Sequence, residues 1–551
     1  MDFDQASTAV LTVQEMSAAR RFGRTESVVS GQLLFAAGDV DQDFFVIESA
    51  EVEILRPARP DAPEKVLTCH GPGRFLGELN MLSGQSAYLT ARVMTEGLVI
   101  RVAAQGFQRL MREEAALSNV VLQAFIARRA LLRTGEGARS VEILGSRWSP
   151  ASLALRNWAA RLQLPHLWID VDDASGAALA QAMGASLASL PCVVTAEGVL
   201  ENATPTTVAQ RLGLGYRHHE GRTLDLMVIG GGPAGLGAAV CAASEGLDTL
   251  LVEATAIGGQ AAASARIENY LGFPAGISGA DLTHRALVQA YKFGSAVSSP
   301  CPVTDLQSAD GQLTVSLGDG TIEQARAVVI ATGASYRTLP IANWKRFEGT
   351  TIFYAATEME ARACAPAPVI VLGGGNSAGQ ASLFLASHGS PVTLVVRGSD
   401  LAKSMSQYLI GRIKADHRIG VVTNTSVTAL DGSISVETAT LSSTLTSDSW
   451  TQPCRGLFCF IGAVPATDFL KGVATDTHGF IRTDSGLRGP DLYGPWALLG
   501  RGPLPYESSL PGVFAVGDVR SGSVKRFATA VGEGSAVVGS VHACVKPQHS
   551  T

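Results

Sequence analysis

The sequence predicts a multidomain fold: a β-rich domain closed by a helix, a compact α/β unit, and two α/β domains built on repeated strand–turn–helix–strand units. Three observations carry this. At 551 residues the chain is long enough for roughly three or four domains. Short strands with period-two alternation are concentrated in residues 1–135. Two small-residue turns, Gly230/Gly232/Gly235 and Gly373/Gly375/Ala378, each follow an apolar strand and open a helix. The spacing G-x-G-x-x-G (or A) is what a dinucleotide pyrophosphate requires. The first glycine permits a tight turn, the second close approach of backbone to phosphate, and the third close packing of helix on strand. The same unit used twice is an internal repeat, so these are Rossmann-type domains.

Composition bounds the rest. Hydrophobic residues make up 46% and charged residues 17%, enough apolar material for several cores. A net charge of -6 gives no electrostatic reason to expect nucleic acid or an anionic membrane. Met1-Asp2-Phe3-Asp4 lacks the basic and apolar regions of a signal peptide, and no apolar run is long enough to cross a bilayer. The eight cysteines are scattered, with no C-x-x-C, which suits a reducing cytoplasm. No histidine or cysteine spacing suggests a metal site.

Residues 1–135 alternate short strands and turns: Leu33 to Phe35, Asp43 to Ile47, Glu51 to Leu55. Phe107 to Arg133 has helical periodicity. With Phe75-Leu76-Gly77-Glu78-Leu79-Asn80-Met81-Leu82, this order resembles a cyclic-nucleotide-binding domain, a β-jelly-roll plus helix. The resemblance implies that Glu78 binds a ribose hydroxyl and that an arginine about nine residues on pairs with the cyclic phosphate. That position is Ala87, and Arg92 is out of register. A cyclic phosphate would lack its charge-assisted partner, so the resemblance implies a retained fold with a damaged site.

Residues 141–215 follow a linker, Thr134 to Ser140. A strand at Val141 to Leu144, a helix from Pro150 to about Leu162, a strand at His166 to Asp170 and another at Cys192 to Thr195 after Pro191 resemble a glutaredoxin or thioredoxin fold. The redox pair of that family falls on Ser146 and Ser149, which cannot form a disulfide or thiolate. Cys192 reads as core. His218-His219-Glu220-Gly221-Arg222 reads as a solvated linker.

From 224 the strand Asp225 to Ile229 enters the first glycine turn, Gly230, Gly232, Pro233, Ala234, Gly235. A helix from Ala234 to Glu245 points its amino end at the phosphates. The strand Asp248 to Val252 ends at Glu253, a carboxylate able to accept from ribose hydroxyls. Gly259-Gln260, Glu268-Asn269-Tyr270, Thr332-Gly333 and Gly517-Asp518 follow. These motifs resemble the thioredoxin reductases and related FAD-dependent pyridine nucleotide-disulfide oxidoreductases over 224–545. The resemblance implies that Gly259, Gln260, Asn269, Thr332 and Gly333 wrap FAD. It also implies that Asp518 bonds the ribitol, and that a helix from Phe527 to Val538 presents its amino end to the flavin ring.

The second unit, with Gly373, Gly375, Asn376, Ser377 and Ala378, is expected to take NADPH or NADH. Arg397 is the single survivor of the arginines that relatives use for the 2′-phosphate. The implied division is 224–340 and 468–551 for the two halves of the FAD domain and 341–467 for the nicotinamide domain. The family's Cys-Ala-Thr-Cys falls on Ala355-Ala356-Thr357-Glu358, so both sulfurs are absent and Cys364 is displaced. The resemblance therefore implies an FAD-dependent NAD(P)H oxidoreductase, homodimeric like its relatives. Its electrons would pass from the flavin to an external acceptor, a small molecule or redox protein, with no side chain marked as catalytic. A flavin enzyme without a nicotinamide step, and a flavin-binding sensor governed by the amino-terminal domains, stay open at this point.

Overall fold

The structure, a computed structural model, describes residues 6–40, 42–58, 62–134, 139–216, 218, 221–264, 267, 270–309, 311–348, 350–354, 356, 358–493 and 495–545. The amino-terminal domain is two facing four-stranded antiparallel sheets. One runs in the order Arg24–Val28, Gly97–Val102, Phe44–Ile47, Phe75–Leu76. The other runs Leu33–Phe35, Thr90–Thr95, Glu51–Arg56, Lys65–His70. Alternation along the strands sends one set of side chains between the sheets. The other face of the first sheet meets helices through Phe44, Phe75 and Phe107, where the Phe44 ring lies 5.7 Å from that of Phe75 and 5.0 Å from that of Phe107.

The predicted helix over 107–133 is two helices, Ala104–Glu113 and Ala115–Thr134, which break at Glu114. Glu114 leaves helical geometry, its carboxylate paired with Arg21. The second helix also corrects the expectation about membrane-length segments, since Ala115–Arg133 is long and apolar enough by length and composition. Its apolar residues Leu117, Val121, Ala124 and Phe125 are spent in the core beneath the jelly-roll.

Residues 142–211 form a mixed sheet in the order Leu167–Asp170, Glu142–Gly145, Cys192–Thr195, Gly198–Leu200. The first pair is parallel and joined by the helix Pro150–Arg161; the rest is antiparallel. The unit is tied to its neighbours. Ser86 N–H donates to the Leu212 carbonyl (2.7 Å), and Arg129 reaches the Leu162 carbonyl (3.0 Å). The linker is not simply solvated as expected: His218 Nδ1 lies 2.6 Å from a buried Glu323 carboxylate oxygen. His219 and Glu220 lie outside the described residues.

The body begins with Thr223–Ile229, paired in parallel with Thr249–Val252 and Ile322–Ile330. Val513–Ala515 returns much later in the chain to pair in parallel with Ile322–Ile330. Between these segments lies a five-stranded parallel sheet ordered Ile352–Phe353, Gly456–Cys459, Val369–Leu372, Val392–Val395, Ile419–Val422. Two short strands, Ala334–Tyr336 and Ala463–Pro465, pair antiparallel where the chain enters and leaves this second domain. The central parallel strands of both sheets, such as Thr249–Val252 and Val369–Leu372, are buried along their length, which is why they read as unbroken apolar runs.

Two histidines are expected to make the stability of the fold depend on pH. His70 and His284 are held down to about 3, first by burial and then by arginines: Arg128 and Arg74 for the former, Arg129 and Arg133 for the latter. The unfolded chain takes up these protons near the ordinary value of about 6.5, whereas the folded chain does not. Their stabilisation is present above that value and is lost as pH falls toward 3. We expect the unfolding free energy from urea titrations to fall between pH 7.5 and 5, by on the order of 2 kcal/mol per histidine at pH 5. His70→Gln and His284→Gln should each flatten that slope.

Candidate functional site

The two glycine turns have the same local construction. Gly230 has φ +111°, and a Cβ there would meet the Ala331 carbonyl oxygen at 2.4 Å; a Cβ on Gly235 would meet the Gly230 oxygen at 1.8 Å. Gly232 differs: a Cβ there meets nothing within 4 Å and would project into open space. The second turn repeats this. Gly373 has φ +131° with Phe460 O at 2.3 Å, a Cβ on Gly375 would touch only the Ser404 carbonyl oxygen at 4.0 Å, and Ala378 is wholly buried. In each turn one residue serves the bend, one the packing, and the middle glycine leaves room for a phosphate at the helix amino end.

The open space before the first turn is a cleft of about 2480 Å³. Gly232, Pro233, Ala234, Glu253, Gly259, Gln260, Thr332, Gly333, Gly517 and Asp518 line it, as do Asn376 and Ser377 of the second unit. Gly230 and Gly235 lie beneath it in the turn. Gly373, Gly375, Ala378 and Arg397 are not on its wall, and Arg397 is exposed. Asn269 lies outside the described residues.

Glu253 is more committed than expected. Its Oε2 accepts from Gly231 N–H (2.7 Å) and its Oε1 from the N–H and hydroxyl of Thr255 (2.9 and 3.0 Å). The carboxylate fixes the turn and keeps little free lone-pair capacity for a ribose. Asp400, past the second strand, caps a short helix by accepting from Ala402 N–H (3.0 Å). Asn376 Oδ1 accepts from Ser406 N–H (2.8 Å).

The carboxy-terminal segment completes the cleft. Glu533 is buried; it accepts from Gly517 N–H (2.7 Å) and pairs with Arg520 (2.6 Å). This carboxylate holds the turn that carries Asp518 to the wall. Burial pushes the Asp518 carboxyl above its ordinary value, while Lys525 pulls it down and Glu533 adds to the rise. The helix Phe527–Val545 starts at the cleft with the Phe527 ring edge-on to Tyr270 (4.8 Å).

Several wall residues had no sequence signal. Tyr336 and Tyr354 stack at 4.9 Å with planes 4° apart, and burial pushes the Tyr336 phenol up to about 12. From the 142–211 unit come Arg147, Trp148, Arg156, Arg161 and Trp168. Arg156 and Arg161 could have been suspected only by knowing which face of Pro150–Arg161 turns toward the body. The thiols are poor relays. Cys364 is buried and pushed up to about 12; Cys192 is buried, is raised by desolvation, and donates to the Ser189 carbonyl (3.3 Å).

In the jelly-roll, Glu78 is 1% exposed and paired with Arg128 from the long helix (2.8 Å). Arg128 also donates to the Phe75 carbonyl (2.9 Å) and lies over its ring (4.7 Å). The glutamate expected to meet a ribose is closed off by an internal cation. Arg92 is likewise occupied, by Glu53 and Glu64. Ala87 is buried.

Residues 224–534 match the profile of the family described as pyridine nucleotide-disulphide oxidoreductase, more than half of the chain. The chain belongs to this family. Within it, the body is similar to a thioredoxin reductase of Listeria monocytogenes, 33% identical over 317 residues, covering 57% of this chain and 92% of the relative. It is also similar to a thioredoxin reductase of Treponema pallidum, 32% identical, covering 56% of this chain and 94% of the relative. The crystal structure of T. acidophilum thioredoxin reductase superposes with a TM-score of 0.52 at 26% identity, over 58% of this chain and 98% of that one. The chain is a thioredoxin-reductase-like, FAD-dependent NAD(P)H oxidoreductase. Residues 25–114 match the cyclic nucleotide-binding domain family.

The sealed Glu78 makes one outcome specific. Calorimetry with cyclic AMP and cyclic GMP should show no low-micromolar binding, since losing one partner of a charged bond costs roughly 2–5 kcal/mol. A low-micromolar dissociation constant for either nucleotide would mean that Arg128 swings away.

Proposed function

We propose that this oxidoreductase passes electrons from NAD(P)H through FAD directly to an external acceptor, without a protein disulfide. The observation that carries the reading is the state of the segment that stands where the family has Cys-Ala-Thr-Cys. Glu358 ends it, ion-paired with His388 (2.8 Å) and Arg362 (2.7 Å). Those partners, His388 first, hold its carboxyl below the ordinary range, so it is neither a thiol nor a proton donor. Ala355 and Thr357 lie outside the described residues, and in sequence they supply no sulfur. The raised Cys364 thiol supports the same reading.

In this assignment FAD, when bound, supplies the ring that accepts and releases the hydride. Gly232 and the amino end of Pro233–Ser244 hold its pyrophosphate, Asp518 its ribitol, and Gly259, Gln260, Asn269, Thr332 and Gly333 surround it. Gly375, Asn376, Ser377 and Arg397 serve the nicotinamide coenzyme. The domain limits are 1–135, 141–215, 224–340, 341–467 and 468–551. The 141–215 unit is a thioredoxin-like domain without redox activity. Its parallel pair joined by a helix, followed by an antiparallel hairpin, supports that likeness, and Ser146 and Ser149 stand in place of sulfurs.

The purified protein should be yellow and release FAD on heating. In an anaerobic titration, NADPH or NADH should bleach the flavin band while thioredoxin is not reduced in turnover. No bleaching by either coenzyme would overturn the reading. NADPH should be preferred modestly, because Arg397 is exposed and one such cation contributes roughly 1 kcal/mol. Stopped-flow reduction at sub-saturating coenzyme should show that preference vanish in Arg397→Ala.

A further inference from the structure

The helix Pro150–Arg161 turns a continuous face into the cleft: Leu153, Arg156, Asn157, Ala160 and Arg161 all line it. Their spacing is that of one wide helical stripe. On an ordinary surface, arginines at such positions would be paired or fully solvated. Here both are half-buried, and neither has a carboxylate within salt-bridge distance among the described residues. Arg156 lies over the Trp168 ring, 5.0 Å from its centroid, and burial lowers its pKa. Arg161 stands near Tyr336, whose other charged neighbour is Asp518. Along the axis the two guanidinium stems are roughly 7.5 Å apart by helical rise. Flat aromatic residues line the same cleft: Trp168, the Tyr336/Tyr354 stack, and Trp148, which is itself covered by Arg455 at 5.1 Å. The wall therefore combines two arginines that lack an ion-pair partner among the described residues, Arg156 with Asp170 as its acidic neighbour, with aromatic faces, in the cleft that Asp518 also lines.

We infer that this face is the acceptor site, and that it takes a flat, anionic small molecule whose acidic group pairs with Arg156 and Arg161. The inference rests on the proposed direct transfer for its chemistry, but the binding itself needs no turnover. Arginine suits the role because its planar fork pairs with oxyanions and stacks on rings at once. Neutral compounds of the same shape would gain the stacking and not the charge-assisted bonds.

The test is calorimetry of the oxidised FAD-loaded protein with naphthalene-2-sulfonate and its neutral isostere naphthalene-2-sulfonamide. The sulfonate should bind about tenfold or more tightly than the sulfonamide, the order expected of one hydrogen bond to a charged group. Arg156→Gln and Arg161→Gln should each weaken the sulfonate several-fold and narrow the gap. Arg109→Gln, which removes the same charge away from the cleft, should leave it unchanged. Equal binding of the two compounds, no sulfonate binding, or indifference to both variants would overturn the inference. So would strict competition with NADP⁺, since that assigns the arginines to the coenzyme. A kinetic arm uses 1,4-naphthoquinone and its 2-sulfonate, where NAD(P)H + H⁺ + quinone gives NAD(P)⁺ + quinol. Arg161→Gln should raise KM for the sulfonated quinone more than for the neutral one; an equal rise would count against the site. Failure of NAD(P)H to bleach the flavin would sink direct transfer, while the calorimetry would still decide whether the face binds the anion.

Discussion

The body depends on one close contact: the helix Phe527–Val545 pressed against the helix Pro233–Ser244. A Cβ on Gly534 would meet the Ala234 carbonyl oxygen at 2.0 Å, and one on Gly237 would meet the Val531 oxygen at 3.0 Å. Only at this separation can the Gly517 turn sit against Ala234, where a Cβ would come within 2.8 Å. The contact brings two segments, far apart in sequence, to the same end of one parallel sheet. Burying Glu533 beside it would be costly unless the carboxylate were satisfied, and Arg520 and Gly517 N–H satisfy it. Removing Arg520 leaves the buried carboxylate without its counter-charge, a loss of roughly 3–5 kcal/mol. The same carboxylate is thus a structural brace and the reason that Asp518 faces the cleft.

That brace explains how a whole domain can be inserted within another. Val513–Ala515 adds to the edge of Ile322–Ile330 in parallel register, Val328 opposite Val513. The inserted domain leaves and returns through one antiparallel pair, Ala334–Tyr336 with Ala463–Pro465, and Thr332 Oγ1 donates across it to the Ala466 carbonyl (2.8 Å). The connection is narrow, so the inserted sheet keeps its own core, built from Val369, Val371, Leu394 and Phe458. Both sheets point the carboxyl ends of their parallel strands toward the glycine turns, the usual place for a ligand in such folds.

What the sequence disclosed follows from how local each requirement is. A glycine turn between strand and helix is dictated within a dozen residues, so both turns are legible, as is the Gly517-Asp518 motif. Pairings across long separations are not. Glu78 announces a ribose contact, yet its partner Arg128 lies far along the chain and belongs to a helix whose face no local pattern fixes. Glu253 stands at a strand end, where a ribose-binding acid belongs, but its carboxylate folds back on Gly231 and Thr255. The helix break at Glu114 is invisible because apolar periodicity continues through it, and what interrupts it is a charge pair with Arg21. Glu533 has no motif of its own and gains its role only when the two helices meet.

The position of the 142–211 unit bears most directly on the chemistry. A domain kept only as a fold could pack anywhere on the surface of the body. This one sets the loop containing Trp148 and the helix after it against the same cleft that Gly232, Asp518 and Asn376 line. Two of its acids are taken up within it: Arg147 is paired with Asp170 and Asp173. Arg156 and Arg161 therefore place two cations without ion-pair partners among the described residues in a partly enclosed space, where low-dielectric walls strengthen their local field. On the proposed reading, Ser146, Ser149, Ala355 and Glu358 offer no sulfur for a thiol relay. What this unit brings to the cleft is a charged, aromatic wall, and on that reading such a wall selects by shape and charge rather than by thiol exchange.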